Sequence, residues 1–278
     1  MRRFLLLFLA SALSFFAAAA GRCSNDSPKP QRIVSINVCL DALLIKLVEP
    51  ERINSLYYLS ANPQFSAFAN QAKQFYLNRG LAEDIVPRNP DLILAGEYTS
   101  PDLKSLLKSL GLRTEIVPLP RTLNEIPTHI RTIGALTGNQ TSAEIMAQQL
   151  EQTLSQVDKT QKTLTPIPAF WYSANGVVMG RDTMENELMT RAGFYNLALD
   201  KHILGFKQID LEELLLAKPQ VLIVDASDVQ AFSLAQEYLQ HPVLRNRLRI
   251  IHLPSSLACI APVAAEAIEN LLQQRLLL

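Results

Sequence analysis

The chain carries few groups able to do covalent chemistry, and none in a spacing that such chemistry needs. Its four histidines, His129, His202, His241 and His252, are scattered, with no pair at ligand spacing. There is no H-E-x-x-H, no C-x-x-C and no cluster of carboxylates, so neither a structural nor a catalytic metal is expected. No G-x-S-x-G is present for acyl transfer, and no G-x-G-x-x-G or Walker A loop for a nucleotide. Asp41 and the Arg181-Asp182 pair can be imagined as catalytic, but surface charge or helix capping accounts for each. An enzyme needs a positioned nucleophile or an acid–base pair, and these residues supply neither. No catalytic residue and no cofactor are assigned.

What the chain does offer is aromatic surface, and its value depends on the elements that carry it. Lys and Arg number 26 and so do Asp and Glu. That balance argues against nucleic acid or a polyanion as partner. Arg2 and Arg3, the apolar run from Phe4 to Ala20, and the small residues ending at Gly21 read as a secretory signal. Cleavage is expected after Ala20; retention as a membrane anchor is the alternative, although the run is short for a span. Arg22 precedes Cys23 where a lipid-modification site wants a small residue, so lipoprotein anchoring at Cys23 is the lesser reading. Of the three cysteines, Cys23, Cys39 and Cys259, two can pair in an oxidising compartment, and the spacing leaves the choice open.

After the polar linker, short apolar runs alternate with helical patterns. Strands are expected over 32–36, 53–59, 91–95 and 113–119, with helices over 39–48, 81–89 and 101–110. A largely helical stretch follows from about 123 to 162, interrupted near Gly134 and Thr137-Gly138-Asn139. The alternation then restarts: strands over 169–173, 177–179, 221–225 and 249–253, helices over 184–192, 210–217, 229–248 (interrupted at Pro242) and 261–277. This is an α/β chain with two Rossmann-like halves, mostly parallel sheets and a helical connection. The expected divisions are signal peptide 1–20, linker 21–31, amino-terminal lobe 32–121, connecting helix 122–163 and carboxy-terminal lobe 164–278. Residues 81–94 and 210–223 echo each other, each an acidic short helix, a proline and an apolar strand, which suggests lobes of similar build.

In parallel α/β sheets ligands bind beyond the carboxyl ends of the strands. The residues there are Asn37, Tyr57, Tyr58 and Tyr98 in the first half, and Trp171, Tyr172, Arg181 and Ser227 in the second, with Phe206 in an irregular stretch between them. The only tryptophan and four of the seven tyrosines are in this set. Aromatic rings give a bulky ligand large, rigid contact surface. For Tyr57 and Trp171, within or at the ends of apolar strands, a core role is the competing reading. Arg181 suits a carboxylate or phosphate, or a surface ion pair.

Three blocks resemble the periplasmic binding proteins of iron–siderophore and cobalamin uptake. They are the opening R-I-V-S-I-N-V-C-L-D-A-L-L (32–44), the pair G-L-A-E-D-I-V (80–86) and N-P-D-L-I-L (89–94), and G-R-D-T-M-E-N-E-L-M-T-R-A-G (180–193) followed by N-L-A (196–198). The resemblance implies two lobes around a ligand cleft and docking to an ABC permease dimer through one acidic residue per lobe. By the motif these are Glu83 and Glu212. It implies a monomer that captures a metal chelate and delivers it to the inner membrane. It also puts Cys39 and Cys259 on the cleft side, favouring that disulfide, with Cys23 the alternative partner of either. Zinc and manganese binders of this kind use cleft histidines, which the strand-end set lacks, so the guest is expected to be a siderophore, haem or corrinoid complex. With Arg181 the one clear cation, cobalamin or another large, weakly charged chelate is favoured. The alternatives are an exported α/β enzyme and a non-transport sensor on the same scaffold.

Overall fold

A computed structural model describes residues 28–173, 176–224, 241–253 and 257–278. The expected signal segment, Cys23, Ser227 and residues 229–240 of the helix expected over 229–248 lie outside the described residues.

The amino-terminal sheet is wholly parallel. Strands β1 (Ile33–Ser35), β2 (Ile53–Tyr57), β3 (Leu77–Asn78), β4 (Leu92–Gly96) and β5 (Thr114–Val117) run in the order β3-β2-β1-β4-β5. β1 and β4 are buried throughout, as continuous apolar strands covered on both faces must be. Helices α1 (Val38–Leu47), α2 (Ala69–Ala72), α3 (Ala82–Ile85) and α4 (Pro101–Ser109) connect them. α1 starts where Asn37 Oδ1 accepts the amides of Cys39 and Leu40 at 2.9 and 3.2 Å, and its Leu40, Leu43, Leu44 and Leu47 are buried. Fully burying each such side chain is worth about 1.5–3 kcal/mol. β2 is shorter than its apolar run predicts: at Tyr58 the backbone leaves the sheet for a 3-10 turn, Tyr58–Ala61.

The connecting segment is two helices, α5 (Ile126–Thr137) and α6 (Gln140–Gln161). α5 ends at Gly138, whose φ of 72° is left-handed. The two helices touch closely at Gly134, where an added Cβ would lie 2.2 Å from the Ala143 Cβ. Arg52 locks this corner to the first lobe. It is buried, and it donates to the Pro30 carbonyl at 2.7 Å, Glu49 at 2.7 Å, Asn139 at 2.9 Å and the Thr137 carbonyl.

The second lobe contains β6 (Ile167–Ser173), β7 (Val177–Met179), α7 (Met184–Arg191), β8 (Phe194–Asn196), β9 (Phe206–Gln208), α8 (Leu211–Leu216), β10 (Val221–Val224), α9 (Pro242–Arg247), β11 (Arg249–His252) and α10 (Ala264–Leu276). Its sheet runs β11-β10-β6-β7-β9, with β8 also on β6. β10 pairs in parallel with β11 and β6, and β8 with β6, but β7 is antiparallel to both β6 and β9. The sheet is therefore mixed, because a connection of only three residues between β6 and β7 permits only antiparallel pairing. β3, β8 and β9, two or three residues each, are too short to show a period and were not expected.

One apolar core runs through both lobes, from Ile33 and Leu94 past Ile130 and Leu150 to Trp171, Ile223 and Ile268. The outer face of β6 and β10 has its own cluster, including Phe170, Tyr172, Leu222 and Val224. No described helix is long and apolar enough to cross a membrane.

Candidate functional site

The carboxyl ends of the amino-terminal strands gather several of the expected residues along one edge. Tyr57 closes β2 and Tyr58 opens the turn after it. Their rings meet edge to face, centroids 4.9 Å apart. Tyr58 is 45% exposed and Tyr57 is half-buried with its ring against Gly80, whose added Cβ would sit 3.4 Å away. Burial raises the Tyr57 pKa, helped by Tyr58 and by Asp41. Tyr98, just beyond β4, is 85% exposed. Its turn is closed by the Thr99 amide on the Gly96 carbonyl at 3.1 Å and the Lys104 ammonium on the Glu97 carbonyl at 2.8 Å. Asn37 is at the same edge, but its oxygen is spent on the α1 cap and its amide nitrogen lies against Gly96.

The second lobe disposes of its residues differently. Trp171 is 1% exposed and part of the main core, so the competing core reading holds for it. β6 is central and covered on both faces, and alternation turns Trp171 inward towards the main core and Phe170 and Tyr172 to the other cluster. Tyr172 is also buried, though it lines a cavity of about 600 Å³ together with Gly176, Gln208, Asp210 and Glu212. Arg181 is exposed, but the structure does not bring it to the strand-end edge. Because β7 runs backwards along β6, with Val177 opposite Ser173, Arg181 lies roughly 13 Å back at about 3.3 Å per residue. There it bridges to Leu204 and lines a smaller cavity with His202 and Ile203. Phe206, opposite Met179 on the antiparallel β7–β9 pair, is 72% exposed.

Glu83 and Glu212 are both exposed, each in the first turn of a short helix, α3 and α8. The two helices are topologically equivalent. Each leads into the strand, β4 or β10, that pairs in parallel with its lobe's first strand. Asp210 caps α8 by accepting the Glu213 amide at 2.7 Å, as its residue type predicts.

Cys39 and Cys259 are joined, sulfur to sulfur at 2.06 Å, across 220 residues of sequence. The bond links the first turn of α1 to the segment between β11 and α10. The 3-10 turn Ala261–Val263 that follows packs on α1 and α5, so the two lobes meet here through both covalent and apolar contact.

Two residues at this edge escaped sequence reasoning. Arg79, exposed just after β3, makes no ion pair among the described residues, and a two-residue strand left no pattern to flag it. Asp41, read as surface charge or a cap, is fully buried. Its Oδ2 accepts the Tyr57 amide at 2.7 Å and the Ser60 hydroxyl at 2.5 Å. Burial pushes its pKa up to about 7, against the lowering pull of the Ser35 and Ser60 hydroxyls and the Tyr57 amide. An acidic residue in the first helical turn usually reports a cap, which hid this inward-facing role. Among the described residues no three His, Cys, Asp or Glu side chains cluster as metal ligands would.

Residues 66–248 match the family model for periplasmic binding proteins. The chain belongs to the periplasmic binding protein family. This is a family of binding rather than catalytic proteins, in keeping with a site made of aromatic surface. No curated protein sequence matches the chain. Among solved structures, the periplasmic heme-binding protein RhuT from Roseiflexus sp. RS-1, in apo form, is 24% identical with a TM-score of 0.72, covering 87% of this chain and 97% of its own. The periplasmic vitamin B12 binding protein BtuF of Vibrio cholerae is 18% identical with a TM-score of 0.65, covering 88% and 96%. A periplasmic heme-binding protein from Pseudomonas aeruginosa is 22% identical with a TM-score of 0.63, covering 86% and 91%. These binding proteins share the two-lobed fold with this chain.

Proposed function

We propose that this chain is the solute-capturing component of an ABC importer, exported to the periplasm by cleavage of residues 1–20, and that it binds a metal chelate between its lobes. The lobes span residues 32–121 and 164–278, with 122–163 joining them behind the 21–31 linker. The observation that carries the reading is the aromatic edge of Tyr57, Tyr58 and Tyr98 in a protein of the periplasmic binding family, with the exposed Phe206 of the second lobe a further candidate contact. Flat, rigid rings suit a large conjugated or macrocyclic guest. The structural likeness to proteins that bind heme and vitamin B12 supports the same class. Two exposed carboxylates on equivalent helices, Glu83 and Glu212, suit charge-assisted docking to basic residues of a symmetric permease.

Calorimetry of the purified protein against cyanocobalamin, hemin and ferrichrome tests the capture. Saturable one-to-one binding to one of them is expected, and no binding to any of the three overturns the chelate reading. Delivery is tested separately: the double variant Glu83→Ala, Glu212→Ala should abolish uptake into cells while leaving ligand affinity unchanged. Undiminished uptake removes these two residues from docking.

A further inference from the structure

We propose that Asp41 is a positioning residue whose buried carboxylate sets the corner that presents Tyr57 and Tyr58 to the ligand. This rests on the reading of that aromatic pair as ligand-binding.

The geometry is specific. Asp41 is in the first turn of α1 and faces the end of β2. A single oxygen, Oδ2, accepts both the Tyr57 amide and the Ser60 hydroxyl. These two donors bracket Tyr58. The first takes the last amide of β2 out of sheet pairing, and the second holds the 3-10 turn that follows. With the backbone fixed on both sides of Tyr58, the two rings are left in their edge-to-face contact, and the Tyr57 ring rests on Gly80. Oδ1 makes no bond of normal geometry. The Ser35 hydroxyl, which lowers the Asp41 pKa, donates to the Asn37 carbonyl at 3.3 Å.

Packing alone does not call for a carboxyl here. Leu40, Ala42, Leu43 and Leu44 around it are buried and apolar, and burying an incompletely paired carboxyl costs several kcal/mol. An alkyl side chain would fill the space but leave the Tyr57 amide unbonded and the corner free to swing. The frame that holds Asp41 is itself fixed twice, by the Asn37 cap and by the Cys39–Cys259 bond in the same helical turn. The aromatic corner is thereby referenced to both lobes rather than to its own loop.

The test uses Asp41→Ala, Asp41→Asn and Ser60→Ala in the full mature chain with ring-labelled tyrosine, the resonances of Tyr57 and Tyr58 being assigned by Tyr57→Phe and Tyr58→Phe. In Asp41→Ala the resonances of Tyr57 and Tyr58 should move while that of Tyr195, on β8, does not. Affinity for whichever of hemin, cyanocobalamin or ferrichrome binds the wild type should fall roughly tenfold. Asp41→Asn, which keeps an acceptor oxygen, should recover most of that affinity at an unchanged melting temperature, an outcome that a general loss of stability does not produce. If Asp41→Ala does not fold, Ser60→Ala carries the same comparison by removing one of the two donors. Unmoved Tyr57 and Tyr58 resonances, or moved resonances with wild-type affinity, overturn the proposal. If none of the three chelates binds the wild type, the ligand reading has failed, and the resonances alone decide whether Asp41 sets the corner.

Discussion

The two lobes place aromatic residues at matching points of their sheets and treat them in opposite ways. In the first, β2 ends in a 3-10 turn, and Tyr57 and Tyr58 stand at the edge with Tyr98 beyond β4. In the second, β6 carries Trp171 and Tyr172 to its last residues but turns back at once into β7, and both rings are buried. The most exposed aromatic among that lobe's described residues, Phe206, comes instead from β9, a three-residue strand. Strand-end position therefore names where a ligand residue can be, while the path of the chain after the strand decides whether its side chain faces the core or the solvent.

The largest expected effect tests this contrast directly. Trp171→Ala should cost about 3–5 kcal/mol of stability, as for other fully buried aromatics, whereas Tyr58→Ala should cost less than about 1 kcal/mol and act on ligand affinity. Chemical denaturation of the two variants checks it, and similar losses would erase the distinction between the lobes. Next is the covalent link between them. Replacing Cys39 and Cys259 by Ser should cost about 2–4 kcal/mol, since the bond closes a long loop. It should also widen the distribution of interlobe distances seen by solution scattering, and an unchanged distribution would leave the α5–α6 connection as the dominant restraint.

A smaller effect separates the amino-terminal edge from the connecting helices through pH. Asp41, raised to about 7 by burial, keeps a proton in the folded state that the unfolded chain has lost above the ordinary carboxyl value of 3.8. Its contribution to stability is full below 3.8 and is lost as pH rises through 7. His129, buried in α5 and lowered to about 4 by that burial despite a bond to the Pro118 carbonyl, does the reverse. Its contribution is full above 6.5 and is lost as pH falls through 4. Between about pH 4 and 6.5 the two slopes oppose each other. Asp41→Asn should unmask the His129 slope, so that stability falls with acid by up to about 1.4 kcal/mol per pH unit in that window. Denaturant midpoints at several pH values measure it, and parallel profiles for variant and wild type would refute the pairing. The smallest change is expected at Tyr98→Ala, within about 0.5 kcal/mol in stability for so exposed a side chain, with ligand affinity weakened on the order of 1 kcal/mol if the ring touches the guest. Calorimetry of that variant sharpens how far the binding edge extends.

Much of the architecture was legible in the sequence because it is written in local patterns. The continuous apolar runs of β1, β4 and β10, the helix stops at Gly111 and Gly138, and the Asp210 cap each follow from a few neighbouring residues. The echo between 81–94 and 210–223 marks the equivalence of α3–β4 and α8–β10. The family motifs, spread along the chain, fixed the class of protein. None of these signals required knowing what lies far away in sequence.

Other features have no local signature, and only the tertiary structure decided them. Whether Trp171 is a contact surface or core depends on the shared core that gathers it with Ile223 of β10 and Ile268 of α10. Whether Asp41 is a cap or a buried acceptor depends on Tyr57 and Ser60 arriving beside α1. The bond between Cys39 and Cys259 exists because the fold returns the segment after β11 to the first turn of α1, 220 residues away. Periodicity and residue type report how a segment meets solvent on average. Burial, pairing and orientation at a single position are set by long-range neighbours, and there the same aromatic or carboxyl side chain takes opposite roles.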